Sequence, residues 1–445
     1  MVPAPMHARG QEAADGPPAW RARRRWLVVG LLFLVTVISY VDRQTMSIAA
    51  PVIALEFRLS NSDVALIVNA FLVAYAVGQL FAGRFMDWVG ARTGFTLAVI
   101  AWSTAAALTS AGRSVFTFSL YRAALGLAEG GNFPGGVKVV AEWFHPRERS
   151  TAVGIFTSGA SIGAIVTPPL MAYLIVTFGW RFAFIATALP GFAWIALWRY
   201  TYRPMAVSDE ADGGPRRALA PKNRGVRGET STAVRWSFFL KQRMVWGVFL
   251  ARFVEEPVSW FYLTWLPIYM RDYRDVSIMN IGLLLVIPFV TLDIGYVAGG
   301  WIASRLMKAG WSVDRARKTV MVVSAICMAT GIPAVAASGT AGFIAWVSVA
   351  TLGHGGWASN VITLPSDFTP SKWVGTVYGM TAFGGGLGSI LFMQLTGMLV
   401  DAQQSFQTVF LMAGILPIVA ALVILTVTGP IAPLRMPTQP AAAAE

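Results

Sequence analysis

Two short stretches put charge where the chain is otherwise apolar: "SYVDRQT" (39–45), with Asp42 and Arg43, and "YRAALGLAEGGNFPGGVK" (121–138), with Arg122, Glu129 and Lys138. A guanidinium presents a planar fork that takes both oxygens of a carboxylate. A carboxyl in a low-dielectric setting beside such a fork gains or loses a proton as its neighbours change. Arg122 and Glu129 are seven residues apart, which on a helix gives one face and about 10 Å of axial separation. These types together describe an anion site with proton-exchanging carboxyls, for which Asp42 and Glu129 are the candidates. The competing reading is an ion-pair network, Asp42 with Arg122 or Glu129 with Arg43, that only holds helices together.

The elements that carry them follow from composition. The 445 residues are 56% hydrophobic and 13% charged, with a mean hydropathy of +0.59. Soluble domains run at roughly 45–50% apolar and about 25% charged, so this chain belongs in a bilayer. A membrane-spanning helix needs about 20 mostly apolar residues, and such runs fall near 26–48, 63–85, 93–112, 114–143, 150–175, 180–200, 243–270, 278–305, 317–338, 340–365, 373–400 and 404–428. The expectation is an all-α membrane protein of twelve spans. The first run follows "RARRRW" but is too long for a signal peptide and contains Asp42-Arg43, so it reads as an uncleaved helix. With the N-terminus in the cytoplasm, about 26 Lys and Arg fall on the cytoplasmic side and about 5 outside, which places both termini inside. The net charge of +13 is spread through short inter-span segments, which excludes a nucleic-acid surface. The single cysteine, Cys327, excludes a disulfide framework or a multi-cysteine metal site.

A polar, Gly- and Pro-containing segment, 201–242, divides the chain into an arm (1–25), a six-span bundle (26–200), a mobile cytoplasmic linker, a second bundle (243–428) and a tail (429–445). The halves repeat each other. Gly154, Gly159 and Gly163 follow Pro146 with the same mutual spacing as Gly379, Gly384 and Gly388 after Pro370. "GRFMDWVGAR" (83–92) corresponds to "GWIASRLMKAG" (300–310). A duplicated six-helix unit places a solute site between the halves.

At this point the chain resembles the major facilitator superfamily. Gly83, Asp87, Gly90 and Arg92 match that family's loop between helices two and three. Within it the chain is similar to the anion:cation symporters, and most to bacterial hexuronate transporters. "SYVDRQTMSIAAP" (39–51), "RAALGLAEGGNFPGGVKVVAEWFHPRERSTAVGIFTSGASIGA" (122–164), "EEPVSWFYLTWLPIY" (255–269) and "HGGWASNVITLPSDFTP" (354–370) carry that likeness. It implies proton-coupled import of a sugar acid across the inner membrane by alternating access, with Arg43 and Arg122 in the anion site and Tyr75 on the substrate carboxylate.

The residues add their own indications. Helix one puts Asp42-Arg43 about 24 Å in, level with Arg122. Gly130, Gly131, Gly135 and Gly136 around Pro134 lack a nucleotide-loop context and read as a flexible point beside Glu129. Gly384, Gly385, Gly386 and Gly388 read as close packing, and Lys138 as a side chain snorkelling to the interface. Tyr75 and Gln79 form a polar stripe on helix two. His354, Trp357 and Asn360 share one face of helix ten, where a tryptophan can cover a sugar ring and an asparagine can bond hydroxyls; packing is the alternative for each. Helix seven offers Trp260 and Tyr262 to the cavity and one of Glu255 and Glu256 to a gate ion pair. No cofactor, metal or hydrolytic constellation is implied, so the chain is not read as an enzyme. The expected partners are a small anionic carboxylate, protons and lipid, with a monomer as the unit. The rival readings are a facilitator or exchanger of another carboxylate (an aldonate, aromatic acid or dicarboxylate) and a non-transporting solute sensor.

Overall fold

The computed structural model describes residues 19–202, 236–276, 278–403 and 405–436. Among these residues the chain is all helix, with no strand. In the first half lie α1 (Ala19–Phe57), α2 (Asn61–Val89), α3 (Ala91–Thr109), α4 (Val115–Glu129), α5 (Asn132–Trp143), α6 (Pro146–Phe178) and α7 (Trp180–Thr201). After the short α8 (Trp236–Leu240), the second half has α9 (Arg243–Arg274), α10 (Ile278–Lys308), α11 (Val313–Ala329), α12 (Gly331–Ala334), α13 (Thr340–Val361), α14 (Leu364–Phe368), α15 (Val374–Gln403) and α16 (Gln407–Thr426). Counting α4–α5, α11–α12 and α13–α14 as one crossing each gives twelve, six per half. Seven helices are individually long and apolar enough to cross a membrane.

Local chemistry explains where the helices stop. Ser60 and Asp63 close a capping box at the start of α2, as do Ser114 and Thr117 at α4. Gly90 and Gly179, at φ +79° and +84°, let α2 turn into α3 and α6 into α7 within one residue. A Cβ at Gly90 would meet nothing within 4 Å, so this glycine is there for its backbone angle, not for space. The fourth crossing breaks at Gly130-Gly131, directly after Glu129.

Large apolar side chains such as Leu55, Phe116 and Val176 point outward, as lipid-facing helices require. With lipid outside, burial alone gives little drive for helices to associate, and close approach must supply it. The repeated glycines do this in register. A Cβ at Gly159 or Gly163 would strike the α1 backbone, at Phe33 and Val37, and one at Gly384 or Gly388 would strike α9, at Phe249 and Phe253. The first glycine of each set faces the opposite half: Gly154 abuts the Tyr296 carbonyl of α10, and Gly379 the Gln79 carbonyl of α2.

Basic residues gather at the end of the bundle that holds the start of α1 and the end of α7, here called the basic end. Arg24 donates to the Thr201 carbonyl at 2.7 Å, and Arg243 correspondingly to the Val427 carbonyl at 2.6 Å, each closing the last turn of its half. The helix α1 starts at Ala19, inside the expected arm. Most of the expected linker, 203–235, together with 1–18 and 437–445, lies outside the described residues. The first part of the tail is docked: the Ile431 amide donates to Asp314 (2.9 Å) and the Leu434 amide to the Phe368 carbonyl (2.7 Å).

Candidate functional site

Asp42, Arg43 and Arg122, expected at one depth, lie together, and Glu129, expected about 10 Å further along its helix, joins them through Arg43. Arg43 donates through Nε and Nη2 to Glu129 Oε2, at 3.3 and 3.2 Å. Arg122 donates Nη2 to the Arg43 carbonyl at 3.3 Å, which brings α4 against α1 at that level. Asp42 lies beside Glu129, Arg122 and Thr187. Glu129 is fully buried, and Asp42 and Arg122 are nearly so.

The accounts of these four differ in a way that bears on function. Arg43 is engaged on several sides: besides Glu129 it lies over the rings of Tyr75 (4.3 Å) and Tyr40 (4.6 Å). Arg122 is not. Among the described residues its Nε and Nη1 have no hydrogen-bond partner, and neither do the two oxygens of Asp42 or Oε1 of Glu129. Buried polar atoms are normally satisfied, so this many unpartnered donors and acceptors in one cluster set it apart from the rest of the bundle. The Phe71 ring, 4.5 Å from the Arg122 guanidinium, holds it from one side.

Across the space between the halves, Glu256 on α9 lies within electrostatic reach of Tyr40, and Tyr378 on α15 within reach of Tyr75. Arg252 pairs with Glu256 at 2.8 Å and stacks over Tyr378 at 5.0 Å, leaving its Nη1 unpartnered. Trp260 is half-buried one turn on from Glu256. Gln79 is buried where α2 meets both α4 and α15, its backbone against Gly130 and Gly379. Tyr40, Phe71, Tyr296 and Tyr378 are missing from the sequence-based candidates. The i, i+4 pair Phe71/Tyr75 and the i, i+3 pair Tyr40/Arg43 were the available signals.

Several expectations need correction. Asn360 does not face the cavity: it is fully buried, its oxygen accepts from Arg317 (3.2 Å), and its amide donates to the Gly356 and Gly299 carbonyls. A helix face defines a direction, and here that direction is filled by α10 and α11. Trp357 is likewise fully buried in the core of the second half. His354 and Tyr262 line a small cavity inside that half, and Glu255 bonds His354 at 2.6 Å, so Glu256 is the one paired with an arginine.

Lys138 does not snorkel. It is 3% exposed, and its Nζ donates to Asp87 Oδ1 (3.0 Å) and to the Ser371 carbonyl (3.1 Å). Asp87 also accepts from the Gly375 and Thr376 amides and the Thr376 hydroxyl, so its carboxylate caps the start of α15 in the other half. Gly83 packs directly on the Gly375 carbonyl, and Arg92 ties α3 to the Arg199 carbonyl at 2.7 Å. Arg149 is no free surface charge, since it donates to the Ser366 and Ala141 carbonyls. Arg317, held by Asp367 at 2.8 Å, reaches the Pro146 carbonyl. On the symmetry-related seam Ser304 sits 2.8 Å from the Thr151 hydroxyl, and Gly300 packs on Ser150. Of the loop-motif residues, Gly83 and Asp87 therefore join the halves at the basic end, while Gly90 and Arg92 serve the packing of the first half, and all lie away from the charged cluster.

Comparison with known proteins agrees with this geometry. The Major Facilitator Superfamily model matches residues 32–393 and 307–444. The chain is 30% identical to the hexuronate transporter of Escherichia coli (strain K12), covering 91% of this chain and 94% of that one. It is 30% identical to the probable galactarate/D-glucarate transporter of Bacillus subtilis (strain 168), covering 94% and 95%. It is 29% identical to the D-galactonate transporter of Escherichia coli O6:H1, covering 85% and 90%. Among solved structures it superposes on a proton:xylose symporter with a TM-score of 0.71 at 16% identity, covering 93% of this chain and 97% of that one. A second such structure, the transporter FucP in its outward conformation, gives 0.69 at 15% identity, covering 90% and 99%. The duplicated twelve-crossing architecture, the joined loop motif and these similarities lead to one conclusion: the chain is an integral membrane protein, not an enzyme, and belongs to the Major Facilitator Superfamily.

Proposed function

We propose that the protein is a secondary active transporter that imports an anionic sugar acid of hexuronate type together with protons, by alternating access. The observation that carries this is the half-empty fork of Arg122, with two unpartnered nitrogens beside the unpartnered oxygens of Asp42 and Glu129. A substrate carboxylate satisfies the fork. Its negative charge then favours protonation of the neighbouring carboxyls, which couples solute to proton without further chemistry. Tyr75 and Trp260 supply ring faces and a hydroxyl for the sugar. In this reading residues 26–200 and 243–428 rock against each other as a monomer, with 201–242 between them. Both termini face the cytoplasm of a bacterial cell.

The second reading is a carrier or exchanger of a different carboxylate. The unpartnered Nη1 of Arg252 favours a solute acidic at both ends, as galactarate and glucarate are, for which one relative is named; another is named for galactonate, a different monocarboxylate. The test is uptake of labelled glucuronate into proteoliposomes, with and without an inward proton gradient, for wild type and Arg122→Ala. Gradient-stimulated uptake that falls at least about tenfold in the variant is expected from loss of one buried charge-assisted contact. No uptake by folded wild type sinks the hexuronate assignment and turns the panel to aldonates and aldarates; binding without transport of any of them sinks the transporter reading in favour of a sensor.

A further inference from the structure

A second group of ionisable side chains lies inside the C-terminal half, on different helices from Asp42 and Glu129. Glu255 on α9 is 2% exposed, and its Oε1 lies 2.6 Å from His354 Nδ1 on α13, itself 7% exposed. His354 also lines a cavity of about 40 Å³ with Ser259, Tyr262, Leu292 and Thr351. That is room for a water, and the Tyr262 hydroxyl there has no partner among the described residues.

The charge balance decides what the pair must carry. From α9 it faces Glu256, which already holds Arg252, together with Arg252 and Tyr262. From α10 it faces Tyr296, whose ring centroid is 6.4 Å from that of His354 and which in turn neighbours Asp293. On the α11 side, Cys327 packs on Gly353, the residue before His354. None of these leaves a net positive charge for Glu255, since the one cation among them, Arg252, is matched by Glu256. Without a proton the Glu255–His354 unit holds one uncompensated negative charge in a buried place; with one proton, on either partner, it is neutral. A buried unit whose charge is balanced by one proton is a proton site.

Its position gives that proton leverage. Glu255 is two residues before Pro257, where α9 lacks a ladder hydrogen bond. His354 is next to Gly355, whose backbone lies against the Leu292 carbonyl of α10. Loading or emptying the pair therefore acts where α9, α10 and α13 touch, at a soft point in α9.

We propose that Glu255 and His354 form a second proton site, in the half opposite Asp42 and Glu129, that loads and empties during the cycle. Its part in transport rests on the proton-coupled reading above; its binding of a proton does not. The chain has three histidines, His7, His145 and His354, so ring-nitrogen NMR of the labelled full-length protein in lipid discs can be assigned with His7→Gln and His145→Gln. Burial, with Arg147 and Arg149 nearby, holds His145 below the usual histidine range, which gives an internal reference. The His354 signals should pass through one step between about pH 5 and pH 9, and Glu255→Gln should move that step by at least about one unit while His145 stays put. Signals from His354 that stay flat across that range in wild type overturn the proposal with no variant needed, and an unmoved step in Glu255→Gln does the same. In proteoliposomes His354→Gln should lower gradient-driven accumulation by about tenfold while substrate counterflow stays within about threefold. Unchanged accumulation removes the pair from coupling. Wild type that ignores a proton gradient overturns the proton-coupled reading instead, and the NMR result then decides proton binding alone.

Discussion

Arg43 and Arg122 are neighbours in space and differ in what they have left to give. Arg43 spends two nitrogens on Glu129 and lies over the rings of Tyr75 and Tyr40, whereas Arg122 spends one nitrogen on a backbone carbonyl. Arg122→Lys keeps the charge but replaces a fork with a point, so affinity for a carboxylate solute should fall at least about tenfold; calorimetric titration would show it, and unchanged affinity would remove Arg122 from the site. Glu129→Gln should keep substrate exchange yet lose accumulation driven by a proton gradient, because the variant can hold Arg43 by a hydrogen bond but cannot take up a proton. Accumulation against a gradient by Glu129→Gln would return Glu129 to a purely structural role. Asp42, Arg43, Arg122 and Glu129 were legible because charge inside an apolar run has few explanations. Tyr40, Phe71, Tyr296 and Tyr378 were not, since an aromatic in such a run reads equally as packing. Asn360 misled for a different reason: its periodicity was right, but its partner Arg317 is on another helix that no local pattern identifies.

Among the elements, the paired glycine sets do most to fix which helices touch. Gly388 lets α15 press on the Phe253 backbone of α9, as Gly159 lets α6 press on α1 at Phe33. Gly388→Val should lower the thermal midpoint of the detergent-solubilised protein, since overpacking costs about 1–3 kcal/mol. Gly397→Val, on the same helix with nothing within 4 Å of the new Cβ, should leave the midpoint unchanged. Equal effects of the two would mean helix propensity, not close approach, is at stake. The repeat itself could be read from spacing, as could the six-plus-six division. Which backbone each glycine met could not, because those contacts join residues more than a hundred positions apart.

For the whole molecule, the joined basic end is held by a few buried groups in series. Asp87 gathers Lys138 and the first amides of α15, and Arg149 and Arg317 reach across to backbone carbonyls beside it. Breaking a buried pair by removing one partner costs about 3–5 kcal/mol. Asp87→Asn, which keeps the shape and loses the charge, should therefore raise the population open at that end by at least about fivefold. Spin labels at Trp88 and Lys308, both exposed and in opposite halves, would report it as a longer-distance component. An unaltered distance distribution would show that the closed end does not depend on this carboxylate.

The two seams at that end are copies of one design and are fastened differently. Where α2 meets α15, Asp87 brings a full charge; along α6–α10 itself Ser304 and Thr151 offer hydroxyls that trade partners at little cost, and the charges Arg149 and Arg317 cross only at the start of α6, to backbone carbonyls. A charge has to be rehydrated in one event, while a hydroxyl contact can slide. The molecule is thus hung like a door, with a compliant hinge along α6–α10 and a clasp along α2–α15. Labels spanning Thr151 and Ser304 should move less than labels spanning the clasp when Asp87 is changed, and equal movement on both sides would mean that the jaws part evenly.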